Sequence, residues 1–324
     1  MSLTRRFVCA AVLAVTIGTM PTTAQEFPAK PLRLVVTFAP GGSSDIVARA
    51  ISAPLQEKLG QAVVVDNKPG AGGSIGASEV ARAAPDGYTL MMSNTTPISL
   101  APPMLDNPTY NPLTSFSHVS LIATVPDVIM VHPDVPAKTV KELIEWIKNR
   151  KETTFYGSGG IGSIGHILGE TFKKDHGLNT EHVGFKGSSP MITDLLGGRL
   201  SFSFDTLPQN VPHIKSGKLR ALAVSSRSRS DIAADIPTTI EAGIPTVIAE
   251  NFIGISAPAG TPPAVQKKIY DAVQASLDDP NFVKRMSELG LTIRKMSQPD
   301  FGKFVEEQVK TWEPAVKASG AKLN

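Results

Sequence analysis

Three times in this chain a short β-rich run enters a turn of glycine and serine, and the turn opens a helix. The first is Leu32–Phe38 into Pro40-Gly41-Gly42-Ser43-Ser44-Asp45. The second is Thr153–Tyr156 into Gly157-Ser158-Gly159-Gly160-Ile161-Gly162-Ser163, and the third is His182–Phe185 into Lys186-Gly187-Ser188-Ser189. A strand that passes straight into a helix returns to its sheet by a crossover, so alternating units of this kind build a parallel sheet with helices on its faces. Ile46, Val47, Ala50, Ile51, Leu55 and Leu59 recur at helical spacing and predict a helix over 43–59, with Pro54 kinking it and Gly60 closing it. Strands over 62–66 and 88–92 and a helix over 74–84 complete a βαβαβ unit.

A second series follows Val119–Val131, a β-branched run placed to cross between two lobes. Helices over 138–149, 164–174, 189–196 and 208–216 alternate with strands over 153–156, 182–185, 200–204 and 219–224. Phe252–Ala257 is expected to return to the first lobe, with helices over 262–277, 282–289 and 299–317 after it. The fold class expected is α/β, with two doubly wound lobes. Residues 25–127 begin lobe 1, 128–247 form an inserted lobe 2, and 248–324 return to lobe 1.

The start of the chain bears on where it works. Arg5 and Arg6 precede an apolar stretch from Phe7 to Met20, and Pro21-Thr22-Thr23-Ala24 offers small residues for cleavage. That stretch is shorter than the roughly 17 residues a spanning helix needs. Residues 1–24 therefore read as a signal peptide cleaved after Ala24, and the mature chain as periplasmic. Cleavage removes Cys9, the only cysteine, and with it any disulfide, thiol nucleophile or cysteine metal ligand. Lys+Arg total 32 against 29 Asp+Glu, with no basic run, which argues against a nucleic-acid partner.

Each glycine-serine turn offers unpaired backbone N–H groups at the positive end of a helix, with hydroxyls beside them. That is an anion site needing no cation, although glycine and serine also simply build turns and caps. Turns of this kind split between two lobes would line a cleft suited to carboxylates. Two sharper patterns fail on context. Gly157, Gly159 and Gly162 match a dinucleotide fingerprint, but Glu181 begins a strand where the ribose-binding acid should end one. Gly72-Gly73-Ser74-Ile75-Gly76 matches a nucleophile elbow, yet Asn67–Ala71 separates it from its strand. Ser74 reads as a helix cap, with a secreted serine hydrolase as the remote alternative. The six histidines show no ligand spacing, so neither a metal nor a cofactor is expected. His166 either packs, bonds the glycine loop or reaches a ligand. Asp205 ends a strand and either meets a ligand amine or hydroxyl or caps the next turn. Lys186 is either a solvated turn residue or the partner of a second charged group on the ligand.

Phe27-Pro28-Ala29-Lys30-Pro31-Leu32-Arg33-Leu34-Val35-Val36, followed by Phe38-Ala39-Pro40-Gly41-Gly42-Ser43-Ser44-Asp45, resembles the start of a Bug-type extracytoplasmic solute receptor of the tripartite tricarboxylate transporter systems. Val65-Asp66-Asn67-Lys68-Pro69-Gly70-Ala71-Gly72-Gly73, Ala84-Pro85-Asp86-Gly87-Tyr88, Phe185-Lys186-Gly187-Ser188-Ser189-Pro190 and Ala257-Pro258-Ala259-Gly260-Thr261-Pro262 continue the likeness in family order. The resemblance implies a type II periplasmic-binding-protein fold with a ligand cleft between the lobes and no catalysis. It also implies a di- or tricarboxylate, acidic amino acid or aromatic acid as ligand, membrane permease subunits as partners and a monomeric state. A sensor protein in place of the permease is the alternative partner. Carried over by motif, the first-lobe contacts are Phe38, Ser43, Ser44, Asn94 and Thr95. Those of the second lobe are Ser158, Gly159, Gly162, Ser163, His166, Lys186, Gly187 and Asp205. The glycine loop departs from the family in carrying few side-chain donors, which implies binding by backbone N–H groups.

Overall fold

The computed structural model describes residues 26–323. Residues 1–24, expected to be a signal peptide, the expected cleavage point after Ala24 and Cys9 all lie outside the described residues. The first lobe opens with β1 (Leu32–Val36), α1 (Ser43–Leu59), β2 (Val63–Asn67), α2 (Ser74–Ala81) and β3 (Thr89–Asn94). β1 pairs in parallel with both β2 and β3, as strands joined by helical crossovers do. Gly60 closes α1 in the left-handed conformation, its N–H bonded to the Gln56 carbonyl. The chain stays helical through Pro54, so the lost N–H weakens α1 locally without ending it.

β4 (Phe116–Val131) then runs through both lobes. At about 3.3 Å per residue its 16 residues reach about 53 Å. α3 (Val140–Lys148), β5 (Thr154–Ser158), α4 (Ile164–His176), β6 (Thr180–Gly184), α5 (Ser188–Leu196), β7 (Phe202–Thr206), α6 (Leu207–Lys215) and β8 (Arg220–Val224) form the second lobe. β9 (Glu250–Pro258) returns to the first and is followed by α7 (Pro263–Ser276), α8 (Pro280–Leu289), β10 (Thr292–Ile293) and α9 (Gln298–Ser319). The main strand order is β2-β1-β3-β9-β4-β7-β5-β6. β4 pairs with β9 from Phe116 to Pro126, then with β7 from Asp127 to Val131. Asp127 is therefore the residue at which the strand leaves one sheet partner for another.

Two faces of each sheet are covered. Leu34, Val47, Ile51 and Ile255 centre one cluster of the first lobe, and Val35, Phe252, Phe301 and Val305 the other. The clusters of the second lobe centre on Tyr156, Phe172 and Phe202, and on Met191, Leu195 and Leu207. α9 belongs to both lobes. Its Phe301 and Val305 pack in the first, whereas Trp312 and Val316 pack with Tyr156 and Phe172 in the second. Its 22 residues span about 33 Å, long enough to bridge the two cores.

Candidate functional site

The first turns of α1, α4 and α5 meet where the lobes face each other. α1 and α5 have no side-chain cap, so their leading N–H groups stay available in the cleft. The turn before α1 is held open by Asp45. Its Oδ2 accepts the Gly41 N–H at 2.9 Å, and its carboxylate takes Arg49 Nε and the Asn67 amide at 3.0 Å. Burial disfavours the Asp45 anion, but these donors outweigh it and hold the carboxyl below its usual range.

An inner chamber of about 60 Å³ lies at the meeting point. That is room for about four to six waters at roughly 10–15 Å³ each. Phe38, Ser43, Ser44 and Asn94 line it from the first lobe, and Gly159, Ser163 and Asp205 from the second. An outer chamber of about 320 Å³ shares Phe38, Gly159 and Ser163 with it and adds Lys186, Gly187 and Lys322. Nine of the sequence-derived contacts are thus in the cleft. Thr95, Ser158, Gly162 and His166 are not, because each serves the wall behind it. Thr95 Oγ1 accepts the Phe252 N–H at 3.0 Å and stitches β3 to β9. Ser158 Oγ pairs with His182 Nε2 at 2.7 Å. Gly162 donates its N–H to His166 Nδ1 at 3.1 Å, and the His166 ring stacks on His182 at 3.9 Å. Of the roles open to His166, the structure shows the loop-bonding one.

Several lining residues escaped the sequence: Asp127, Thr206 and Asn251 among them. They sit at strand ends brought together by pairing between distant segments, and no local motif marks them. Asp205 accepts Ser188 Oγ at 2.7 Å, Asn210 Nδ2 at 3.0 Å and the Gln209 amide. Burial raises its pKa, with those donors partly offsetting the rise. Asp127 has no such donors, so burial, then the nearby Asp205, raise its pKa well above the usual carboxylate range.

The lobes touch directly across the cleft. Ser43 Oγ pairs with Thr206 Oγ1 and lies 3.3 Å from Gln209 Oε1, while Ser189 Oγ donates to the Pro40 carbonyl at 3.1 Å. This is a closed arrangement. Ser74 is buried in α2 with its hydroxyl 3.3 Å from the Tyr110 hydroxyl, and burial pushes that phenol to about 12. A tyrosine so placed is no general base, so Ser74 lacks the partner a nucleophile requires. Among the described residues no three or more His, Cys, Asp or Glu side chains gather as a metal site.

A two-lobed α/β protein with uncapped helix ends facing each other across a cleft is a solute-binding protein, and the fold is that of the periplasmic binding proteins. A family model described as the tripartite tricarboxylate transporter family receptor matches residues 47–321, and the chain belongs to that family. It is a family of binding proteins, not of enzymes. The chain is 33% identical to Protein BugT of Bordetella pertussis over 100% of both sequences. It is similar to R. palustris Rpa4515 solved with adipate, at 34% identity and a TM-score of 0.87, over 92% of this chain and 99% of that one. It is also similar to MatC of Rhodopseudomonas palustris with bound malate, at 29% identity and a TM-score of 0.85, over 90% and 100%.

Proposed function

We propose that the mature protein, released by cleavage after Ala24, captures a small dicarboxylate between its lobes in the periplasm. It then delivers that ligand, as a monomer, to permease subunits of a tripartite tricarboxylate transporter. The observation that carries this reading is the convergence of the first turns of α1, α4 and α5 on one chamber between the lobes. Backbone N–H groups at those turns accept an anion without a cationic side chain. Lys186 and Lys322 in the outer chamber favour a second carboxylate at the mouth. The adipate and malate held by the two R. palustris relatives are acids of this class.

In this reading the second lobe, residues 128–247 with the Trp312 and Val316 end of α9 packed in its core, moves against the first, and a ligand favours closure because only the closed form offers both sets of contacts. The test is thermal unfolding of the exported protein against a panel of mono-, di- and tricarboxylates, before and after stripping by unfolding and refolding. A ligand at about 100 times its Kd stabilises by about 2.7 kcal/mol, a midpoint rise of about 5–11 °C at about 2–4 °C per kcal/mol. A stripped protein that ignores every acid would refute the carboxylate assignment. X-ray scattering with and without the ligand checks closure: equal compactness in both would refute the hinge.

A further inference from the structure

The floor of the inner chamber holds a group that a plain dicarboxylate leaves unused. Asp127 is 2% exposed and lines the chamber, yet its carboxyl accepts no hydrogen bond from any described residue, and its Oδ2 is buried without a partner. Its backbone is pinned. The N–H donates to Ser225 Oγ at 2.9 Å, the carbonyl accepts the Ser225 N–H at 2.8 Å, and the residue pairs with Thr206 in the sheet. The side chain cannot leave by a shift of the strand. Beside it Asp205 has its own side-chain donors in Ser188, Gln209 and Asn210 and shares none of them. No Lys, Arg or His lines the inner chamber among the described residues, and the cations of the cleft, Lys186 and Lys322, stand in the outer one.

A buried carboxyl without a donor is costly, and folded proteins seldom keep one. We infer that the ligand supplies the donor: the acid this receptor takes carries a hydroxyl or ammonium group beside a carboxylate, and Asp127 receives it. The inference rests on the carboxylate-receptor reading and narrows it to hydroxy or amino diacids. The chamber also sets the orientation. With the carboxylates toward the helix turns and the outer lysines, the donor points down to Asp127. Selectivity of this kind is strong, because an analogue lacking the donor leaves a buried acceptor unpaired.

Succinate, malate and aspartate share a four-carbon skeleton and differ at one carbon by hydrogen, hydroxyl or ammonium. Calorimetric titration of the stripped protein is expected to give malate or aspartate at least five-fold tighter than succinate. Whichever wins tells hydroxyl from ammonium. Asp127→Ala breaks no hydrogen bond, so the variant is expected to fold, and the preference over succinate falls below five-fold. A wild-type preference under five-fold, which needs no variant to measure, overturns the inference and leaves the receptor reading standing. So does a preference that survives in Asp127→Ala. No heat with any of the three sinks the inference, and silence across the wider acid panel sinks the receptor reading with it.

Discussion

Replacing Gly165 with alanine tests how tightly α4 is seated at the cleft. Gly165 lies in the first turn of α4 and lines the inner chamber. A Cβ there would stand 2.1 Å from the Phe204 carbonyl oxygen, 3.0 Å from its carbon and 3.3 Å from Ser158 Cβ. The main obstacle is strand backbone in β7, which cannot swing aside as a side chain would. Because an ordinary carbon–oxygen contact is roughly 3.3 Å or more, α4 must back off by about 1 Å. Gly165 has helical backbone angles, so the cost is overpacking alone, about 1–3 kcal/mol. At about 2–4 °C per kcal/mol the midpoint should fall by about 2–12 °C. The same displacement carries Ser163 and the α4 N–H groups away from the chamber, so affinity for the acid identified in the panel should fall with it. Gly302→Ala in α9 is the control: its Cβ meets nothing within 4 Å, and the helix should gain about 0.5–1 kcal/mol. Differential scanning calorimetry and a titration of each variant give both readouts. A Gly165→Ala protein with unchanged midpoint and affinity would refute the close approach of α4 to β7.

Ser43→Ala removes the hydroxyl that meets Thr206 and Gln209 across the cleft and should cost about 0.5–1.5 kcal/mol of closure, a loss of about two- to ten-fold in affinity by titration; unchanged affinity would mean that the contact does not support the closed form. Asp127→Asn should stabilise the protein at pH 8. A folded-state pKa raised above the unfolded 3.8 means that wild type loses stability as pH rises through that window. The gain should therefore shrink toward pH 4 in urea titrations, and a variant less stable than wild type at both values would contradict it. His118 bonds the Pro112 carbonyl and Ser256 Oγ, each at 2.9 Å, and burial lowers its pKa to about 4. Its imidazole should stay neutral at pH 5.5 by NMR, whereas titration near 6.5 would place it in water.

What was legible in the sequence is what is decided locally. α1 begins at Ser43 and ends before Gly60 because apolar spacing and a left-handed glycine determine both ends within a few residues. The glycine-serine turns announced themselves in the same way, and they do form the cleft. The side-chain directions inside those turns did not. Ser158 and His166 occupy the expected loop, but their partner is His182, on a neighbouring strand whose register no local pattern reveals. Asp127 was invisible for a related reason. It sits in a β-rich run whose middle reads as ordinary core, and its place on the chamber floor comes from the exchange of β9 for β7 as partner. α9 was expected in the first lobe with the rest of 248–324, and nothing in its local sequence says that its two halves face different cores.

The position of β9 has a consequence for how this chain comes into being. β9 is made of residues 250–258, yet it lies between β3 and β4, whose residues are synthesised long before it. Until it inserts, β3 lacks its Met91–Asn94 partners and β4 lacks those of Phe116–Pro126, so the middle of the first sheet is missing. Closing that gap requires contacts across more than a hundred residues, which puts loop closure ahead of the stabilising pairings and makes the step slow. With its central strand near the far end, the first lobe cannot lock before most of the polypeptide has been made.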